Sequence, residues 1–119
     1  MCSSHDLPHN DLERSLHLFV LGLLASLSER YVIKSNLESG YGRYDILMQP
    51  KNSVDQAVVL ELKKGTSPDL EALAEEALTQ IREKNYIAQL KDFGYTGKIF
   101  CYGVAIYKKH LVAKMEILQ

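Results

Sequence analysis

Residues 57–64 constrain this 119-residue chain more than any other segment, because they place charged groups inside an apolar strand. The segment reads Ala-Val-Val-Leu-Glu-Leu-Lys-Lys, and its β-branched, apolar content is typical of a central strand. Side chains alternate along a strand, so Glu61 and Lys63 share one face and Leu62 takes the other. Burial of a carboxylate and an amine costs free energy unless each is paired or binds a metal ion. The segment therefore predicts a strand that contributes charged residues to a site.

The rest of the chain predicts an α/β domain around one mixed sheet, with 1–10 as a flexible terminus and 11–119 as a single domain. Helices are expected at about 11–28 and 68–90, and strands at 31–38, 43–49, 56–64, 98–105 and 111–118. Ser67 is the expected N-cap of the second helix, followed by Pro68 as its first residue. An antiparallel meander followed by a helical crossover implies a mixed sheet of four or five strands with a helix on each face.

Composition excludes some classes of protein. The formal net charge is −1, so the chain lacks the global basicity of many nucleic-acid binders, although a local basic face can coexist with a neutral total.

Cys2 and Cys101 fit no zinc-binding spacing, and two free thiols indicate a reducing, cytoplasmic location. The apolar run 16–27 is too short to span a bilayer, and the acidic residues before it argue against an export signal. We therefore expect a cytoplasmic protein with no membrane contact.

A second acid is expected near Glu61. Asp45 lies in the predicted second strand, directly after a turn that contains Gly40 and Gly42. Two acids and an amine that meet on one sheet suit metal-dependent hydrolysis of a phosphodiester, because hard divalent ions prefer oxygen ligands. Two simpler interpretations stay open. Asp45 could cap the turn, and Glu61 and Lys63 could form an ion pair on an exposed strand.

These residues and this order of elements resemble the PD-(D/E)XK nuclease superfamily. In that family Asp45 would be the motif aspartate and Glu61 to Lys63 the (D/E)-x-K element, although Tyr44 stands where the motif proline is expected. The resemblance is closer still to the PD-(D/E)XK domain found in predicted AAA-ATPase-like proteins, and it covers about residues 12–107. Its further marks are Glu13 and His17 in the first helix, the run Gly42 to Asp45, Gln80 within Ala77 to Ile81, and Lys84 to Tyr86.

The resemblance implies a restriction-endonuclease-like αβββαβ core and a Mg²⁺-dependent deoxyribonuclease, with Mn²⁺ able to substitute. Asp45, Glu61 and the backbone carbonyl of Leu62 would bind the metal ion. Lys63 would orient the attacking water, stabilise developing negative charge or act as the base, and the sequence does not choose among these roles. Gln80 would project from the second helix toward the metal site, where its amide could hold a water or a phosphate; the alternative is a plain surface glutamine.

Five further residues have open roles. Glu13 is either an additional metal-side carboxylate or an acid that stabilises the first turn of its helix. His17, four residues later, is more typical of a packed or exposed histidine than of a ligand. Arg43 is either a phosphate contact or a salt-bridge partner, and Lys64 is a candidate nucleic-acid contact. Tyr86 could stack on a base or sugar, or it could close the core.

Two functions from different classes follow. The first is a metal-dependent nuclease that acts on DNA; the intact set Asp45, Glu61, Lys63 and Gln80 favours it. The second is a nuclease-fold module that binds nucleic acid or protein without useful hydrolysis, which the near-neutral charge and small size favour. A homodimer would let two sites act on both strands of a duplex. Because the chain carries no ATPase domain, the resemblance implies that it is either free-standing or a fragment of a larger protein. An ATPase-containing protein is the candidate partner, or the candidate for that larger protein.

Overall fold

The computed structural model describes residues 18–19, 21–38, 43–52 and 54–118. Helix α1 comprises the described helical residues 18–19 and 21–27, within the predicted first helix. The elements that follow are β1 (Tyr31–Glu38), β2 (Arg43–Pro50), β3 (Ala57–Lys64), α2 (Glu71–Glu83), α3 (Tyr86–Asp92), β4 (Ile99–Tyr107) and β5 (His110–Leu118). The predicted terminus 1–10 lies outside the described residues. The strands match their expected positions to within one or two residues, and the fifth strand is confirmed.

The strands form one five-stranded sheet in the order β1-β2-β3-β4-β5. Neighbouring strands are antiparallel except for β3 and β4, which are parallel. A parallel pair needs a long crossover, and α2 and α3 supply it between these two strands. The structure thus confirms the expected α/β architecture of a mixed sheet flanked by helices.

Helix α2 packs on the sheet because its apolar residues recur at helical spacing. Ala74, Ala77, Leu78 and Ile81 are buried, and the helix contacts β3, β4 and β5. The main core cluster joins this helix to α3 and to one face of the sheet; its buried members are Leu47, Ala57, Val59, Leu78, Ile81, Tyr86, Leu90, Ile99 and Cys101. Side chains at two-residue spacing share one face of a strand. Glu61 and Lys63 therefore lie on the same face of β3 as Val59, which is the face that α2 covers. This places the charged residues of the Glu-x-Lys element on the α2 side of the sheet.

The second helix departs from the prediction of one helix over 68–90. It begins at Glu71, and its N-cap Leu70 makes no side-chain capping hydrogen bond, so the expected start at Ser67 and Pro68 is wrong. It ends at Glu83 because Asn85 takes a left-handed conformation, with φ 56° and ψ 47°. Asparagine tolerates this region better than most residues, and the turn allows α3 to start in a new direction.

No helix among the described residues is long and apolar enough to cross a membrane. Cys101 is a free thiol in the core, as expected, and Cys2 lies outside the described part of the chain. Burial, together with the nearby Glu116 carboxylate, raises the pKa of Cys101 to about 11. A thiol that stays protonated is a poor nucleophile and a poor metal ligand.

Helix α2 approaches β4 closely at Gly103. A Cβ atom added to this glycine would lie 2.5 Å from the backbone oxygen of Ala74 and 2.9 Å from the backbone nitrogen of Leu78. Backbone atoms of a helix cannot move aside singly, so any side chain at this position forces α2 away from the sheet. Gly103 is the β4 partner of Glu61 in the sheet register. The absence of a side chain here therefore lets the helix cover the strand position that carries Glu61.

We expect Gly103→Ala to lower the free energy of unfolding by about 1–3 kcal/mol, because the added methyl group overpacks the α2–β4 contact. Urea denaturation followed by circular dichroism measures the change. Gly22→Ala is the matched control, since a Cβ atom on Gly22 in α1 would meet nothing within 4 Å and alanine favours the helix. Equal stability of Gly103→Ala and wild-type protein would contradict the close packing described above.

Candidate active site

Asp45 and Glu61 are direct partners across the β2–β3 pair. Residues that face each other across antiparallel strands have their side chains on the same side of the sheet. Glu61 is fully buried, and Asp45 is 9% exposed. The two acids, separated by a hairpin in the sequence, therefore meet at one place beneath the end of α2. Asp45 lies within β2, and the turn that precedes this strand lies outside the described residues.

Lys84 joins the two acids. Its Nζ donates hydrogen bonds to Asp45 Oδ2 at 2.8 Å and to Glu61 Oε1 at 3.0 Å. Lys84 is the C-cap residue of α2, directly before the left-handed Asn85. The end of the helix therefore positions a single ammonium between two carboxylates on neighbouring strands.

The electrostatics of these three groups are coupled. Burial raises the pKa of the Glu61 carboxyl, the hydrogen bond from Lys84 opposes this rise, and repulsion from Asp45 adds to it. Burial would lower the pKa of the Lys84 ammonium, but hydrogen bonds to Asp45 and Glu61 outweigh that effect and raise it. Lys84 therefore remains charged, and its positive charge offsets the free-energy cost of burying the two acids side by side.

Lys63 lies on the same face of β3 and is 8% exposed. Among the described residues, its ion-pair partner is Glu76 on α2, with Lys63 Nζ 3.9 Å from Glu76 Oε1. A distance of this size at an exposed glutamate is a weak interaction. The alternative of a Glu61–Lys63 pair on an exposed strand is wrong, because the strand is buried and each residue has a different partner.

Each acid keeps one buried oxygen atom without a hydrogen-bond partner, Asp45 Oδ1 and Glu61 Oε2. On α2, Gln80 Oε1 is also buried without a partner. Gln80 precedes Lys84 by one helical turn, so the two side chains project from the same side of α2. Buried polar atoms are normally satisfied, and carboxylate and amide oxygens are the ligands that Mg²⁺ and Mn²⁺ prefer. The donor set therefore fits a hard divalent cation.

The described residues contain no group of three or more His, Cys, Asp or Glu side chains that could hold a metal ion. Among the described residues, the carboxylates of the candidate centre are those of Asp45 and Glu61. The amide oxygen of Gln80 stays a predicted ligand. Glu13, the expected additional carboxylate, lies outside the described residues, as does His17. The proposed contribution of the Leu62 carbonyl stays a prediction.

A pocket of about 360 Å³ opens beside the acids, between β1 and α3. Asn36 on β1 is the direct cross-strand partner of Asp45, and Lys34 is the partner of Leu47. The lining residues are Lys34, Ser35, Asn36, Asp45, Leu47, Lys84, Tyr86 and Gln89. Asp45 is thus accessible from this pocket, and the pocket carries two lysines.

The expected nucleic-acid contacts have mixed outcomes. Tyr86 is 8% exposed and belongs to the main core cluster, so the interpretation that it closes the core is confirmed, although it also lines the pocket. Lys64 is half-buried at the end of β3. The backbone of Arg43 pairs with Lys63, and the Arg43 side chain lies outside what the structure describes. Contact of these residues with nucleic acid stays a prediction.

Sequence reasoning placed Lys84 in a family motif but gave it no role, and it did not connect β1 with the site. The available signal for Lys84 was its spacing of four residues from Gln80, which puts the two on one helical face. The signal for Asn36 and Lys34 was weaker, because it needed the β1–β2 register.

Comparison with protein families gives a match over nearly the whole chain. The sequence model of the PD-(D/E)XK nuclease superfamily matches residues 11–116. The chain belongs to this superfamily, and its five-stranded mixed sheet flanked by helices is a restriction-endonuclease-like fold. Comparison with curated proteins gives no match. The association with AAA-ATPase-like proteins stays a prediction.

We expect Glu61→Gln to stabilise the metal-free protein increasingly as pH rises. The ordinary pKa of glutamate is 4.5 and folding raises it at Glu61, so the wild-type protein loses stability as pH rises from that value through the higher folded pKa. The glutamine variant has no such loss. Urea unfolding in chelator, at acidic and weakly alkaline pH, measures the difference between variant and wild-type protein.

Glu83→Gln serves as the charge-matched control, because it removes a carboxylate from the exposed side of α2. A Glu61→Gln variant whose stability relative to wild type is the same at both pH values would contradict the electrostatics described for the acid pair.

Proposed function

We propose that this chain is a metal-dependent nuclease that hydrolyses phosphodiester bonds in DNA. The single observation that carries the proposal is the buried pair of Asp45 and Glu61, whose carboxylates face one cation and keep further oxygens without a partner. Buried acids are rare in proteins unless they are paired or bind a metal ion. Membership of a nuclease superfamily supports the choice of reaction.

The residues divide the work of hydrolysis. Asp45, Glu61 and Gln80 would hold Mg²⁺ or Mn²⁺, together with the Leu62 backbone carbonyl that the family resemblance implies. A bound divalent ion supplies charge neutralisation at the phosphate and a more acidic water. Lys63 would donate a hydrogen bond to a phosphate oxygen or to the attacking water, because it follows Glu61 on the same face of β3 and its pairing with Glu76 is weak.

The pocket offers groups that would hold the substrate backbone. Lys34 would attract a phosphate, while Asn36 and Gln89 can donate hydrogen bonds to phosphate or sugar oxygens. Contacts of this kind position a nucleic acid without reading its sequence. A local positive charge at the pocket is compatible with the formal net charge of −1. Arg43, Lys64 and Tyr86 remain candidate contacts from the sequence.

A second candidate function is a nuclease-fold module that binds nucleic acid or protein without hydrolysis. The observation that favours it is the contact of Lys84 with both acids, because a permanent ammonium at this place would keep a metal ion out. Binding without cleavage that weakens steeply with salt would indicate this module.

We expect Asp45→Asn, Glu61→Gln and Lys63→Met each to reduce cleavage of plasmid and single-stranded DNA by about a hundred-fold or more, since each removes a group that the reaction needs. The assay compares Mg²⁺, Mn²⁺ and chelator. Asp92→Asn and Lys98→Met are matched controls, because both residues are exposed and neither lines the pocket beside the acids.

Chelator should abolish the wild-type activity and leave DNA retention at the pocket weak but measurable. Cleavage that is the same in wild type and in all three site variants would overturn the nuclease proposal. The same assay run on RNA tests the choice of DNA as substrate.

The homodimer, the ATPase-containing partner and the cytoplasmic location remain predictions. The edge strand β5 offers a surface for the first of these, because Leu111, Met115 and Ile117 are exposed along it. Sedimentation of the full chain with and without DNA tests the dimer.

A further inference from the structure

Lys84 occupies the point that both acids share. Its Nζ lies 2.8 Å from Asp45 Oδ2 and 3.0 Å from Glu61 Oε1, so one cation already bridges the pair. The two oxygens of one carboxyl group lie close together, so a divalent ion held by Asp45 and Glu61 would lie next to the Lys84 ammonium, and the two cations would repel each other. The ammonium and such an ion therefore compete for one location.

Lys84 does not satisfy every oxygen of the acid pair. Glu61 has no exposed surface, and Asp45 is 9% exposed. The oxygens Asp45 Oδ1 and Glu61 Oε2 remain without hydrogen-bond partners. A divalent ion would neutralise the acid pair and could use these oxygens, whereas Lys84 does only part of both tasks.

Lys84 has room to leave. Its side chain is 29% exposed and lines the pocket of about 360 Å³. It is the C-cap residue of α2, directly before the left-handed Asn85. A long, flexible lysine side chain at such a place can turn toward solvent without unfolding the helix.

We propose that Lys84 is an internal competitor of the metal ion: it holds Asp45 and Glu61 together in the metal-free protein and moves into the pocket when a divalent cation binds. The inference rests on the proposed metal site. It adds that this lysine lowers the apparent affinity for the cation. In the metal-free protein, the same lysine stabilises the buried acid pair. If Lys84 instead stayed on both acids, the divalent cation could not bind there.

The test is calorimetric titration of the full chain with Mn²⁺ for wild type, Lys84→Met and Lys91→Met. We expect Lys84→Met to bind Mn²⁺ about tenfold more tightly or better, because the competing hydrogen-bonded charge is gone. Lys91 lies exposed on α3, so Lys91→Met should bind Mn²⁺ as wild type does.

Thermal melting provides a second readout. In chelator, Lys84→Met should melt at a lower temperature than wild type, because two buried acids lose their partner. Saturating Mn²⁺ should then raise the melting temperature of the variant by more than that of wild type. If Lys84→Met fails to fold, Lys84→Arg keeps the competing charge with a stronger carboxylate pairing and should bind Mn²⁺ more weakly than wild type.

The outcomes separate this inference from the proposed function. Mn²⁺ binding that is unchanged or weaker in Lys84→Met overturns the competitor role and leaves the metal site intact. Absence of Mn²⁺ binding in wild type and in both methionine variants overturns the metal site itself, and with it the competitor role.

Discussion

The fold of this chain is organised around two carboxylates that it buries side by side. Asp45 and Glu61 face each other across β2 and β3, and like charges directly opposite each other on a sheet are destabilising. The protein offsets this cost with one ammonium, supplied from the end of the helix that covers the strands. The crossover between β3 and β4 therefore does more than connect parallel strands, because it delivers the positive charge that the sheet requires.

Much of this arrangement could be predicted from the sequence. The strands were predictable because apolar and β-branched residues dominate them, and Asp45 was expected near Glu61 because a short connection between consecutive strands favours antiparallel pairing. The pairing register was not predictable, since it depends on the turns and on the packed face of the sheet. The β1 residues of the pocket were missed for this reason.

The break between α2 and α3 was also beyond the sequence pattern. Apolar residues recur at helical spacing up to Ile81, and Tyr86 and Leu90 are again four residues apart, so the pattern was interpreted as one helix over 68–90. Tyr86 and Leu90 pack in the same core cluster as Ile81, and tertiary packing of α3 decides where the helix must turn. The role of Lys84 depends on that turn. Spacing therefore places Lys84 on the same helical face as Gln80, but it does not show that Lys84 contacts the two acids.

Gly103 also affects the access of solvent to the acid pair. Because α2 lies directly on β4 at this glycine, the helix covers Glu61, which has no exposed surface. Asp45 and Lys84 retain partial exposure on the pocket side. Protons, ions and water that exchange with Glu61 therefore pass Asp45 and Lys84. Glu61 is reached from the pocket side of the sheet only, and Asp45 lies between Glu61 and the pocket.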